Sequence, residues 1–124
     1  MKREEIARLL KMPSPAAHHS FARHNLSRMN LQGIDLHGAI LRRADLSRSD
    51  LSHAQLNGAH MEKANLSGAN LSDANLQDAY LQGADLSYAY LKGVNLEGAD
   101  LRGANLKGCI FGPDQEDHIM RYAQ

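Results

Sequence analysis

This 124-residue chain has a single cysteine, so no internal disulfide can brace it. It has no apolar run near the ~20 residues that a membrane-spanning helix needs. Its first residues, Met1-Lys2-Arg3-Glu4-Glu5, are charged and lead into only a short apolar stretch, which argues against a secretory signal and leaves a cytoplasmic location as the expectation. There is no excess of either charge, because fourteen Lys/Arg balance fourteen Asp/Glu. The balance is uneven along the chain: residues 1–60 carry a net +4 and residues 61–124 a net −4. No zinc pattern of cysteine and histidine is present, and no glycine-rich phosphate loop.

What is present is a beat of five. From Leu26 to Phe111 every fifth residue is leucine, except Met61 and the closing phenylalanine. Counted from His24 to Pro113, eighteen five-residue units run in one phase without an insertion. On an α-helix a step of five advances the leucines by about 140° and scatters them around the circumference. On a flat strand an odd step sends Leu66 and Leu71 to opposite faces. The repeat makes sense if each unit is a short extended piece followed by a bend that resets the inward direction, so the chain must coil.

Residues two apart in an extended piece share a face. The residue two before each leucine is therefore expected inside as well, and it is small: Ala39, Ala44, Ala54 and their successors to Ala104, with Ser49, Val94 and Cys109 as variants. Large leucines alternating with small alanines would fill a narrow bore at crystal-like density. Cys109 reads there as a small core hydrophobe, with a reactive or partner-linking thiol as the alternative. Glycine recurs two residues after the leucine, as at Gly58 and Gly108, where a bend needs permissive backbone.

The unit Ala-(Asp/Asn)-Leu-X-X, as in Ala69-Asn70-Leu71-Ser72-Asp73, resembles the pentapeptide-repeat family over roughly three quarters of the chain. That resemblance implies an all-β solenoid, a right-handed quadrilateral parallel β-helix with four units per coil and short helical caps at one or both ends. At about 4.8 Å per coil, eighteen units would stack to roughly 22 Å.

Residues 1–23 are expected to form an N-terminal helical cap, residues 24–113 the repeat, and residues 114–124 a C-terminal helical cap. Lys2 to Lys11 reads as a helix with Ile6, Leu9 and Leu10 on one face, ended by Pro13. Ser14-Pro15 could start a second helical turn. His24, Met29 and Ile34 are bulkier than alanine at the inward position of the first coil, which suits a mouth that must be plugged. A homodimer through a coil end is one expected association.

With four units per coil, residues twenty apart stack. Asn25, Asp45, Asn65, Asp85 and Asn105 then form a polar ladder, which avoids adjacent like charges. On another face Ile40, His60 and Tyr80 form an outward stripe, and Tyr88, Tyr90 and Ile110 add aromatic and apolar area elsewhere. These six are the candidate interaction residues. Arg42 over Glu62 reads as a surface ion pair, and His53 should lie near Asp73. No catalytic residues, metal ligands or cofactor are assigned, and no small-molecule substrate.

A filled bore leaves only the outer faces for recognition, so the expected function is a non-enzymatic protein-interaction module with an unknown protein partner. The resemblance also implies an alternative, a DNA-mimicking binder of DNA gyrase or topoisomerase that gives quinolone protection. A duplex mimic should be strongly acidic, yet residues 24–113 hold nine acidic and eight basic side chains. The cluster Arg23, Arg28, Arg42, Arg43 and Arg48 alone supports direct nucleic-acid binding, and basic charge without a reading element is thin support.

Overall fold

In the computed structural model, which describes residues 2–11, 20–113, 115, 116 and 119, every five-residue unit repeats one local geometry. The leucine points inward, two turn residues follow, the small residue points inward again, and the next residue forms a bridge to a neighbouring coil. The turn closes when the small residue's N–H donates to the leucine carbonyl, as from Ala39 to Leu36 at 3.0 Å and from Ala64 to Met61 at 3.0 Å. The second turn residue has positive φ in each unit, from 57° at Arg48 to 75° at Gly93. Positive φ at that residue alone is the signature of a type II turn.

Each bridge residue pairs in parallel with the residue twenty further on, from Ser20 with Ile40 to Tyr90 with Ile110. One coil is therefore four units. The leucine N–H donates to the next coil and the bridge residue N–H to the previous one: Leu26 to Asp45 O at 2.7 Å, Asp45 to His24 O at 2.9 Å. Four columns of bridge residues follow, which we number as sides in chain order. Side 1 begins at Ser20, side 2 at Asn25, side 3 at Asn30 and side 4 at Asp35. Side 2 faces away from side 4, with the leucine core between them.

The expected all-β solenoid, a right-handed quadrilateral parallel β-helix, is corrected by this geometry. Among the described residues there is no strand, only isolated single-residue bridges, and the one continuous helix is short. The reason lies in the length of the unit. Two of its five residues are spent on a turn, which leaves one residue per unit in ladder register and too little extended chain to make a strand.

The core is the expected one in composition. Leu31 to Leu91 at the leucine positions, Met61 included, are at most 1% exposed, and the alanines between them are as deeply buried. Helix α1, Arg3–Leu10, covers the first coil. It inserts Ile6, which is 0% exposed, with Leu9 packed beside it. Of the three bulky residues expected to plug that mouth, Ile34 is buried and Met29 partly so. His24 is exposed instead and meets Phe21 edge-on at 6.2 Å. Phe21 is 1% exposed and Ser20 already bridges, so the repeating geometry begins four residues before His24.

The direction of the bonds between coils gives the two ends opposite polarity. The first coil has carbonyls with no earlier coil to donate to them, and the Arg3 guanidinium donates to two, Asn30 O and Gln32 O, each at 2.9 Å. Among the described residues the last coil's N–H groups have no later coil to accept them. Gln115 Oε1 accepts from Gly93 N–H at 3.0 Å and from Gly112 N–H at 2.8 Å. A donor side chain thus serves the carbonyl end and an acceptor the N–H end. Ile119, buried at 2%, donates from its N–H to Gln115 O. Glu116 and Ile119 are helical, and residues 114, 117, 118 and 120–124 of the expected C-terminal cap lie outside the described residues, as do Ser14 and Pro15.

Truncating Ile6 leaves a void between α1 and the first coil. Ile6→Ala is expected to lower the unfolding free energy by about 2–5 kcal/mol, read as a lower urea midpoint at unchanged slope.

Candidate interaction surface

The Asn/Asp ladder has a local cause. In all twelve units whose bridge residue is Asn or Asp, its Oδ1 accepts the N–H of the first turn residue two positions on, at 2.9–3.2 Å. This is an Asx-turn, which fixes the entry to each bend. A serine hydroxyl often adds a second bond, as from Ser47 Oγ to Asp45 Oδ1 at 2.6 Å.

Five of the six candidate residues occupy this bridge position and cannot make that bond: Ile40, His60, Tyr80, Tyr90 and Ile110. The chain gives up a repeated hydrogen bond, worth about 0.5–1.5 kcal/mol at each place, to present an apolar or aromatic group outward. Departures from a local structural rule without structural gain concentrate at working surfaces. Gln55 makes the same departure with a polar side chain and receives a long contact from Asn75 Nδ2, at 3.4 Å.

The six candidates fall into two groups. On side 1 the Ile40, His60 and Tyr80 side chains stack along the axis, and the His60 and Tyr80 rings lie parallel, 4.6 Å between centroids. Polar groups frame this stripe. Arg42 Nε donates to Glu62 Oε2 at 2.7 Å, and Arg42 Nη2 approaches His60 Nδ1 at 3.4 Å. An arginine can only donate, so that contact assigns His60 Nδ1 as acceptor. Gln82 donates to Asp100, and the Arg102 guanidinium at 2.6 Å holds the Asp100 carboxyl below the ordinary value. Tyr80 remains 42% exposed.

The second group sits at the turn between sides 2 and 3 and on side 3 beside it. Tyr90 and Ile110 bridge each other, each 48% exposed, and Tyr88 is 56% exposed at φ 61°. A β-carbon on Gly108 would lie 2.5 Å from Tyr88 Cδ1 and Cε1, so the tyrosine ring lies over the glycine one coil later. Positive φ favours glycine at that position, and the ring leaves room for nothing larger. The six candidates thus lie on two separate patches, and the second concentrates the large exposed groups.

The described histidines do not converge. His53 Nε2 lies 3.7 Å from Asp73 Oδ2, with both side chains more than half exposed. His37 Nδ1 lies 2.7 Å from Asp35 Oδ1. Burial pulls the Asp35 carboxyl up, but its bonds to His37 outweigh this and hold it below the ordinary value. Among the described residues no three of His, Cys, Asp and Glu come together as a metal site, and no helix is long and apolar enough to cross a membrane. Cys109 is half-buried, and its Sγ lies 2.9 Å from Leu86 O. Burial pushes its thiol up to about 11.

The comparisons with known proteins agree with the repeat. The model for pentapeptide repeats (8 copies) matches residues 20–54, 49–87 and 74–112. Among solved structures, the pentapeptide repeat protein Rfr23 of the cyanobacterium Cyanothece 51142 is 40% identical, with a TM-score of 0.64 over 85% of this chain. The match spans 66% of that protein's length, just under two thirds. A pentapeptide repeat protein of the Arabidopsis thaliana thylakoid lumen is 26% identical at a TM-score of 0.58, covering 85% of this chain and 70% of that one. One from Nostoc PCC 7120 is 34% identical at a TM-score of 0.48, covering 89% and 93%. No curated protein matched.

Two measurements test the site geometry. Gly58 has open space where a β-carbon would go, so Gly58→Ala should cost only its positive-φ strain, about 1 kcal/mol. Gly108→Ala also displaces the Tyr88 ring and should cost measurably more in the same urea titration. The Cys109 thiol is held neutral by folding and its folded value is raised. Its contribution to stability is therefore complete below the ordinary thiol value of 9.0 and fades as pH rises toward about 11. Alkylation of the native chain near pH 8 should be much slower than alkylation in denaturant.

Proposed function

The chain belongs to the pentapeptide-repeat family, and on that premise we propose that it works as a non-enzymatic protein-interaction module whose contact surface is the Tyr88–Tyr90–Ile110 patch. Leucine, alanine and methionine fill the interior, so recognition falls to the outward side chains. The observation that carries this reading is the loss of the Asx-turn at Tyr90 and Ile110 in favour of half-exposed apolar groups beside Tyr88. Tyrosine is among the residue types that dominate binding energy at protein interfaces. The His60–Tyr80 stripe is the secondary contact. Its rings are already stacked on each other and its ion pairs are internal, so less of it is free for a partner.

Affinity capture by the unaltered chain is compared with capture by a Tyr88→Ser, Tyr90→Ser variant. A protein partner that uses this patch is lost or weakened at least tenfold by the pair, while Tyr80→Ser alone has a smaller effect. Equal capture by all three chains would remove the patch from the function.

A further inference from the structure

The coil register turns the charge imbalance along the sequence into a charge difference across the molecule. Turn residues at positive φ lie at the corners between sides. The corner between sides 1 and 2 carries Arg23, Arg43 and Lys63, one above another, and the corner between sides 2 and 3 carries Arg28 and Arg48. All five are exposed, and none forms an ion pair among the described residues. Side 2 is thus edged by cations through its first three coils. The acids on it, Asp45 and Asp85, are turned onto their own Asx-turns.

The opposite side has the reverse sign. Asp73 lies at the corner between sides 3 and 4, Asp78 and Glu97 at the corner between sides 4 and 1, and Asp35 on side 4 itself. All four are exposed, and Lys92 is the single lysine or arginine at these two corners. The bridge columns between the charged edges are polar on both sides, Asn25 to Asn105 on side 2 and Gln55 to Asn95 on side 4. Opposite faces of one neutral chain therefore carry matching, opposite charge.

We propose that side 2 of one copy docks against side 4 of a second copy, through the Arg23–Arg43–Lys63 and Arg28–Arg48 corners on one and Asp73, Asp78 and Glu97 on the other. The basic group is centred about two coils nearer the start of the chain, so the copies slide along the axis by roughly 10 Å to match. The contact is heterologous, using a different surface on each copy, so it repeats into open chains rather than closing as a dimer. It rests on the interaction-module reading only in taking the outer faces as working surfaces, and it uses residues outside the Tyr88–Tyr90–Ile110 patch. Because the charges are exposed, the association is weak and screened by salt.

The test is sedimentation equilibrium of the whole chain over a range of concentrations, at about 20 mM and about 0.5 M salt. The expected result is an average mass that climbs above 13.6 kDa with concentration at low salt and returns to that value at high salt. The variant R43E/R48E/D73K/D78K keeps the net charge at zero but flattens the difference between the faces. It should remain at the monomer mass at low salt, with an unchanged circular dichroism spectrum. A monomeric parent at low salt, a mass that persists at high salt, or a variant that associates like the parent would each overturn the proposal. A parent that stays monomeric yet binds heparin at low salt would also overturn it, and would assign the basic corners to a polyanion. None of these outcomes bears on the tyrosine patch, which is tested by its own variants.

Discussion

The structure depends on the backbone hydrogen bonds between coils. In the inner coils each leucine N–H donates one coil ahead and each bridge-residue N–H donates one coil back, so an inner unit is held from both sides. These bonds form only if successive coils have equal length, and four units of five residues without an insertion provide that. A single inserted residue would displace every later leucine from the core. The filled interior, the stacked columns and the polarity of the ends all follow from this register.

The same register makes each outward column a place where side chains act together. Asn and Asp in a column each close their own turn, so the ladder is a device of folding rather than of binding. Tyr80, Tyr90, His60, Ile40 and Ile110 interrupt it, and there the outer surface serves something other than the turn. Arg23, Arg43 and Lys63 adopt a backbone conformation that glycine adopts more easily, and so bring positive charge to a corner. A non-enzymatic interaction module works through such columns, because its core is fully used in holding the coils.

Much of this was legible from residue order. The period of five located the buried leucines and alanines, and a step of twenty placed His53 near Asp73, Arg42 over Glu62, and Ile40, His60 and Tyr80 in one row. Less legible was the character of the backbone. A repeat that resembles pentapeptide-repeat proteins led to the expectation of β-strands, whereas the turn consumes so much of each unit that only isolated bridges remain. His24 illustrates a second limit. It has the right phase for the interior, yet within the first coil Ile34 is buried, Met29 partly so and His24 exposed. The three residues of the tyrosine patch were readable as one area, but the Tyr88 ring over Gly108 was not, since Tyr88 leaves the bridge phase.

The sequence by itself determined the beat and the identity of the core, because a strict period leaves only one way to keep leucine inside, while the outward columns needed the four-unit coil that the family resemblance implied. Tertiary structure decided which end exposes carbonyls and which exposes N–H groups, and therefore why Arg3 and Gln115 stand where they do. It also decided that a charge difference along the chain becomes one across it. Those outcomes depend on the direction of hydrogen bonds between coils and on the corner at which each turn residue lies, and neither exists until the coils are stacked.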